Sequence, residues 1–302
     1  MTAAEAVPDS ERRGLIGALP GPLRPYASLM RLDRPIGAWL LGLPCAWGLA
    51  LAGGLPERWD LLLWFALGAL VMRSAGCVWN DWVDRDLDRL VARTRARPLA
   101  SGRVGVADGF VLLAGLLLVG LFVLFQLRPE AQVVALGSLV PVAVYPFAKR
   151  VTWWPQAWLG LVFSWGALVG WTAAAEPKVA PLLLYLGTIA WVFGYDTIYA
   201  LQDLEDDALV GVRSSARALG PRVRAGVAVC YALALAGWGA AFWLVRPQAL
   251  ALAALAPAAA HLAWQVATLR PADQGDALTK FRSNRFAGLL VFLACLVVGT
   301  TA

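Results

Sequence analysis

Long apolar stretches separated by short polar connections dominate the chain. A helical run of about 20 apolar residues matches the hydrocarbon thickness of a bilayer. Nine such runs are predicted, at 36–55, 61–80, 107–127, 131–147, 155–175, 181–203, 222–245, 247–269 and 284–301. Proline or glycine stands at several boundaries (Pro35, Gly53-Gly54, Pro155, Pro181, Pro221, Pro247), where helix breakers belong. The pattern therefore predicts an all-α, polytopic membrane protein with no room for a second soluble domain.

Composition agrees: 60% of the 302 residues are hydrophobic and 15% charged, against about a quarter charged in soluble domains. The net charge of +6 gains meaning only from its distribution. With nine spans, 22 of the 26 Lys and Arg fall on the side of the amino terminus, and only Arg58, Arg128, Lys178 and Arg246 fall on the other. The positive-inside rule then predicts a cytoplasmic amino terminus. Sixteen of the 20 acidic residues share that side, the exceptions being Glu57, Asp60, Glu130 and Glu176. The polar chemistry is expected there, and nucleic-acid binding, which needs a basic face on a soluble fold, is not. Cys45, Cys77, Cys230 and Cys295 lie in or beside apolar runs without C-x-x-C spacing, which reads as small buried hydrophobes. The amino terminus shows no cleavable signal pattern.

Two acidic clusters leave apolar runs on this polar side. In the first, Asn80, Asp84 and Asp88 stand at i, i+4 and i+8, so a helix puts an amide oxygen and two carboxylates on one face. Such a hard-oxygen set suits Mg²⁺, which takes one or two carboxylates and completes its shell with water and substrate phosphate. In the second, Asp196, Asp203 and Asp207 fall within about 20° of one helical meridian. Either cluster alone reads as a solvated acidic loop. Together, with Asp196 inside an apolar segment where a carboxylate is expensive, they point to a two-metal site gripping a diphosphate, with helices arranged around one cavity. Arg93, Arg97, Lys149, Arg150 and Arg213 are candidate cations for the anion. The Lys149-Arg150 pair, set between Tyr145-Pro146-Phe147 and Pro155-Gln156, suits a small carboxylate. His261, the one histidine, reads as a packed, hydrogen-bonded residue.

Asn80-Asp81-x-x-Asp84-x-x-x-Asp88 followed by Arg93-Thr94-x-x-Arg97-Pro98 resembles the first signature of the UbiA superfamily of intramembrane prenyltransferases. Tyr195-Asp196-Thr197-x-Tyr199-Ala200-x-x-Asp203-x-x-Asp206-Asp207 resembles the second. Arg31-Leu32-Asp33-Arg34-Pro35-Ile36-Gly37 and Tyr145-Pro146-x-x-Lys149-Arg150 are similar to segments of the 4-hydroxybenzoate polyprenyltransferases of ubiquinone synthesis. The resemblance implies nine helices around a central cavity and divides the chain into an amino-terminal segment, 1–28, and one transmembrane domain, 29–302. It implies Mg²⁺ as cofactor, held by Asn80, Asp84 and Asp88 and by Asp203 and Asp207. It implies polyprenyl diphosphate and 4-hydroxybenzoate as substrates, with Arg34, Arg93, Arg97, Lys149, Arg150, Tyr145, Asp196 and Tyr199 at the substrates. Asp84, Asp203, Asp207 and Arg150 would carry catalysis, Arg150 as partner of the aromatic carboxylate.

On this reading diphosphate departs, the ring carbon meta to the carboxylate attacks the allylic cation, and rings such as Tyr199, Trp79 or Tyr145 stabilise it. Another acceptor (haem, a naphthoate or homogentisate) or a transporter of an anionic metabolite are the competing readings. No obligate protein partner is implied beyond the bilayer. The preference for Arg over Lys and the abundance of Ala suggest a bacterial inner membrane, with the active site facing the cytoplasm.

Overall fold

The computed structural model describes residues 13–90, 94–204, 211 and 213–300, without the side chains of residues 13–15, Lys149 and Asp203. The described residues contain helices and no strand. In chain order they are α1 (Arg13–Ala18), α2 (Arg24–Leu29), α3 (Ile36–Leu51), α4 (Asp60–Val83), α5 (Arg85–Asp88), α6 (Val106–Leu124), α7 (Pro129–Gly137) and α8 (Leu139–Val151). There follow α9 (Pro155–Ser164), α10 (Gly166–Thr172), α11 (Ala180–Tyr199), α12 (Ser215–Leu219), α13 (Val223–Val245), α14 (Ala249–Ala253), α15 (Ala256–Thr268) and α16 (Gln274–Gly299).

Among the described residues seven helical stretches are long and apolar enough to cross a membrane: Asp60–Val83, Val106–Leu124, Pro129–Ala148, Ala180–Gln202, Ser215–Val245, Ala249–Thr268 and Gln274–Gly299. The other two predicted spans differ from expectation. The run at 36–55 yields a helix of only 16 residues, Ile36–Leu51. The run at 155–175 divides at Trp165 into α9 and α10, with Trp165 donating its indole N–H to the Val134 carbonyl at 2.8 Å. The last span starts ten residues earlier than predicted. Asp273 caps it, its side chain accepting from the Asp276 amide at 3.0 Å, and Lys280 and Ser283, which precede the predicted run, are buried within the helix.

The chain forms two compact units. The first comprises residues 1–39 and 66–125. Its core joins Leu29, Val78, Leu99 and Val104, with Leu112, Leu113 and Leu116 of α6 against them. The second comprises residues 40–65 and 126–302. Leu49, Leu61, Phe65, Leu127, Ala131, Val169 and Ala173 form one of its cores. Two helix crossings in this unit depend on glycine. A Cβ on Gly170 would collide with the backbone carbonyl of Cys45, and one on Gly48 with that of Ala167, so α3 and α10 meet backbone to backbone. A Cβ on Gly237 of α13 would lie 2.7 Å from the Cα of Gly187 in α11. Small residues permit such approach, and in lipid close packing replaces the hydrophobic drive between helices.

Contacts between connections record how the second unit is threaded. Arg128 pairs with Glu176 at 2.7 Å, Arg213 donates to the Val151 carbonyl at 2.9 Å, and Arg224 donates to the Leu269 carbonyl. The first two join connections that the nine predicted runs separate by two crossings, and the third joins the two ends of a helical hairpin.

Candidate active site

The first acidic motif lies at the end of α4, within the first unit. The helical path carries on through the short break between α4 and α5: the Asp84 amide donates to the Asn80 carbonyl at 2.9 Å, and the Asp88 amide to the Asp84 carbonyl at 2.8 Å. Asn80, Asp84 and Asp88 thus share the expected face. Asp84 is 0% and Asp88 5% exposed, and Asn80 is half-buried. Arg97 donates from Nη1 to Asp88 Oδ2 at 2.9 Å and to Asp81 Oδ1 at 3.1 Å. The Thr94 hydroxyl donates to the Asp88 carbonyl at 3.0 Å. The signature therefore folds back on itself, its Arg and Thr bracing the acids that precede them. Arg93 lies outside the described residues.

Asp81 stands about 100° away from the Asn80–Asp84–Asp88 face, so helical spacing alone gives it no role. Its side chain is buried and receives both oxygens' worth of hydrogen bonding from Arg31 Nη2, at 2.7 and 2.8 Å. Arg31 has φ +59°, a left-handed backbone that is unfavourable for a side chain of this size. Burial opposes the guanidinium's charge, yet the neighbouring Asp81 carboxylate raises its pKa above the ordinary arginine value. Arg34, next along, lies 3.3 Å from Asp33 with both side chains largely buried. The Arg31–Arg34 stretch is thus drawn to the acidic motif through Arg31.

The donor chemistry suits a divalent cation. Asp84 and Asp88 are buried carboxylates on the face that also carries the Asn80 amide, oxygen donors of the kind that Mg²⁺ takes together with water and phosphate. Among the described residues no three His, Cys, Asp or Glu side chains gather into a metal-holding group by themselves.

The second acidic motif lies in the second unit, where α11 tightens into a 3₁₀ turn over Ala200–Asp203. Tyr195 is buried, and Asp196 and Tyr199 are half-buried. Asp207 and the Asp203 side chain lie outside the described residues, so the predicted meridian is traced only through Asp196. Thr197 and Ser215 share a hydroxyl–hydroxyl hydrogen bond of 2.7 Å, and the Ser215 amide donates to Gln156 Oε1 at 3.0 Å. These bonds join the end of α11 to α12 and to the start of α9. Ser214 caps α12, its hydroxyl accepting from the Arg217 amide.

The Tyr145–Arg150 segment forms the end of α8. Tyr145 is half-buried, Arg150 is exposed with its guanidinium 5.7 Å from the Phe147 ring, and the Lys149 side chain lies outside the described residues. Arg213 bonds the Val151 carbonyl and lies 5.6 Å from the Trp153 ring, while Arg217 lies 5.5 Å from the same ring. The structure thus brings the α8 end and the 213–217 segment together. Trp79 stacks on Trp82 at 5.2 Å in the first unit.

Residues 41–296 match the UbiA prenyltransferase family. The chain belongs to this family. It is 44% identical over 292 residues to the mitochondrial 4-hydroxybenzoate polyprenyltransferase of Bos taurus, spanning 94% of this chain and 77% of that protein. It is 45% identical over 282 residues to the Drosophila melanogaster protein of the same name, spanning 92% and 71%. Among solved structures it is similar to the apo form of a UbiA homologue from Aeropyrum pernix K1, with TM-score 0.67, 26% identity, and coverage of 86% and 97%. A UbiA homologue from Archaeoglobus fulgidus bound to GPP and Mg²⁺ shares the fold, with TM-score 0.62, 18% identity, and coverage of 92% and 100%. The chain is therefore a multi-pass membrane prenyltransferase.

These relatives correct one expectation. The bacterial inner membrane suggested by the Arg and Ala content is overturned by relatives that are mitochondrial proteins of animals and, at 44% identity, of Arabidopsis thaliana. Preference for Arg over Lys supplies positive charge equally well beside any membrane and does not specify which one.

Proposed function

We propose that this prenyltransferase moves a polyprenyl group from polyprenyl diphosphate to the ring carbon of 4-hydroxybenzoate meta to its carboxylate, giving 3-polyprenyl-4-hydroxybenzoate for ubiquinone synthesis. The observation that carries the reading is 44% identity, sustained over 94% of the chain, to a 4-hydroxybenzoate polyprenyltransferase. Nine transmembrane helices around a central cavity, formed by one domain from residue 29 onward after an amino-terminal segment of residues 1–28, complete it. The pairing of connections by Arg128–Glu176 and Arg213–Val151 supports that path, with α9 and α10 together making one crossing.

Asn80, Asp84 and Asp88, with Asp203 and Asp207, would hold Mg²⁺, which when bound supplies positive charge against the leaving diphosphate. Arg34, Arg93, Arg97 and Lys149 bind the anion's remaining charge; Arg97, already shared between Asp81 and Asp88, is oriented before substrate arrives. Arg150 and Tyr145 receive the aromatic carboxylate end, and Asp196 and Tyr199 border the reacting carbon. The C–O bond to diphosphate breaks with its electron pair on oxygen, the ring carbon bonds the allylic carbon, and the ring proton leaves. Apolar walls exclude water from the cation.

Purified protein given Mg²⁺, a polyprenyl diphosphate and 4-hydroxybenzoate should form the prenylated acid. Chelation should abolish product and added Mg²⁺ restore it. Asp84→Ala should lower kcat by about 100-fold or more, the scale of removing a preorganised charge-stabilising group. Prenylation of a naphthoate or homogentisate but not of 4-hydroxybenzoate would overturn the choice of acceptor.

A further inference from the structure

A chain of buried polar side chains crosses the second unit. Trp191 of α11 donates its indole N–H to Asn284 Oδ1 of α16 at 2.9 Å. Indole can only donate, so this bond sets which way the Asn284 amide faces. Asn284 Nδ2 donates in turn to the Lys280 carbonyl at 3.1 Å and to Gln265 Oε1 at 3.4 Å. Gln265 Oε1 also accepts from the Tyr231 hydroxyl at 2.7 Å, and its Nε2 donates to Ser283 Oγ at 3.0 Å. Asn284 and Gln265 are both 0% exposed. His261, 3.3 Å from Ser283 Oγ, stands at the edge of this network as the packed residue the sequence suggests. Polar side chains inside membrane helices are expensive and point to function, and a network in which each member fixes the next holds one geometry.

That geometry is passed to a ladder of rings. Trp191, Tyr195 and Tyr199 stand at i, i+4 and i+8 on α11. Trp191 meets Tyr195 edge to face at 4.9 Å, Tyr195 meets Phe281 at 5.8 Å, and Phe281 meets Tyr199 at 4.5 Å. Trp47, at 5.1 Å from Trp191, and Trp238, at 6.0 Å, hold the upper end of the ladder. Tyr195 and Tyr199 flank Asp196 in the second acidic motif. Phe281 belongs to the polar start of α16, which hydrophobicity alone excludes from the span.

We propose that Asn284 is a positioning residue for prenyl transfer: by holding Trp191 it sets the Tyr195–Phe281–Tyr199 ladder, whose rings stabilise the allylic cation formed as diphosphate departs. The inference rests on the prenyl-transfer reading above. A ring face offers its negative quadrupole to the cation. When the rings are displaced, water competes with the acceptor for the same carbon. The C–O bond to diphosphate breaks as before, water oxygen forms the new bond, one proton is released, and the product is the prenyl alcohol.

The test compares full-length Asn284→Leu, Trp191→Phe, their double variant and Phe281→Leu, each assayed with Mg²⁺, polyprenyl diphosphate and 4-hydroxybenzoate. Each single variant should lose about 30-fold in kcat per folded enzyme, the rate equivalent of a desolvated cation–π contact, with KM values within about twofold. The ratio of prenyl alcohol to prenylated acid should rise. The double variant should be no worse than the poorer single, since Asn284 acts through Trp191. Phe281→Leu leaves the amide network whole and carries the test if Asn284→Leu does not fold. Unchanged kcat and product ratio in the folded variants, or a double variant that multiplies the two losses, overturns the inference alone. A wild-type protein that consumes no prenyl diphosphate overturns the prenyl-transfer reading and this inference with it.

Discussion

Asp81 shows how much one side chain can organise. It is 1% exposed and takes three hydrogen bonds, two from Arg31 and one from Arg97, whose other bond reaches Asp88. The two guanidiniums are 11% and 19% exposed, so solvent screens the pairs little. Removing one partner of a buried pair leaves the other charge uncompensated, at about 3–5 kcal/mol. Asp81→Ala should therefore destabilise by that order in thermal or denaturant unfolding and should also weaken prenyl diphosphate binding, because Arg97 loses one of its two anchors. Asp81→Asn, which keeps an acceptor for Arg31, should fall between it and wild type. An Asp81→Ala variant as stable and as active as wild type would contradict this account.

At the scale of elements, glycines at the crossings decide how closely helices approach. Between α11 and α13, Gly187 faces the Ala234 carbonyl at 2.9 Å from its would-be Cβ, and Gly237 faces the backbone of Gly187. No rotamer change can make enough room, since backbone atoms of Ala234 and Trp238 stand at Gly187 and those of Gly187 stand at Gly237. Gly187→Leu should cost about 1–3 kcal/mol through overpacking, seen as a lower midpoint in thermal unfolding. Gly76, with nothing within 4 Å of its would-be Cβ, supplies the contrast. Gly76→Ala should be neutral or slightly stabilising, because alanine favours helix by about 1 kcal/mol.

For the molecule as a whole, the charge asymmetry of the sequence predicts one path through the bilayer, nine crossings with the amino terminus on the basic side. Single cysteines at 178 and 246, on a background without the four native ones, should react with an impermeant maleimide from one face of sealed vesicles. Cysteines at 103 and 270 should react only from the other. Labelling of 178 and 270 from the same face would refute the nine-crossing path.

Local, periodic features were legible in the sequence. Apolar run length marked most spans, and helical spacing placed Asn80, Asp84 and Asp88 on one face, because both depend on residues within a few turns of one another. The family itself followed from short motifs with the same local character. The Arg31–Asp81 pair spans 50 positions and the Trp191–Asn284 bond spans 93, and neither leaves any periodic trace. The start of α16 differs from the predicted run for the same reason: Lys280 and Ser283 resemble loop residues until their buried partners are known. Hydrophobic length and helical period act locally, so a many-span chain with an acidic helix face is readable along the sequence alone. Which buried polar groups satisfy one another is readable only in the folded chain, because packing between distant helices chooses the pairing.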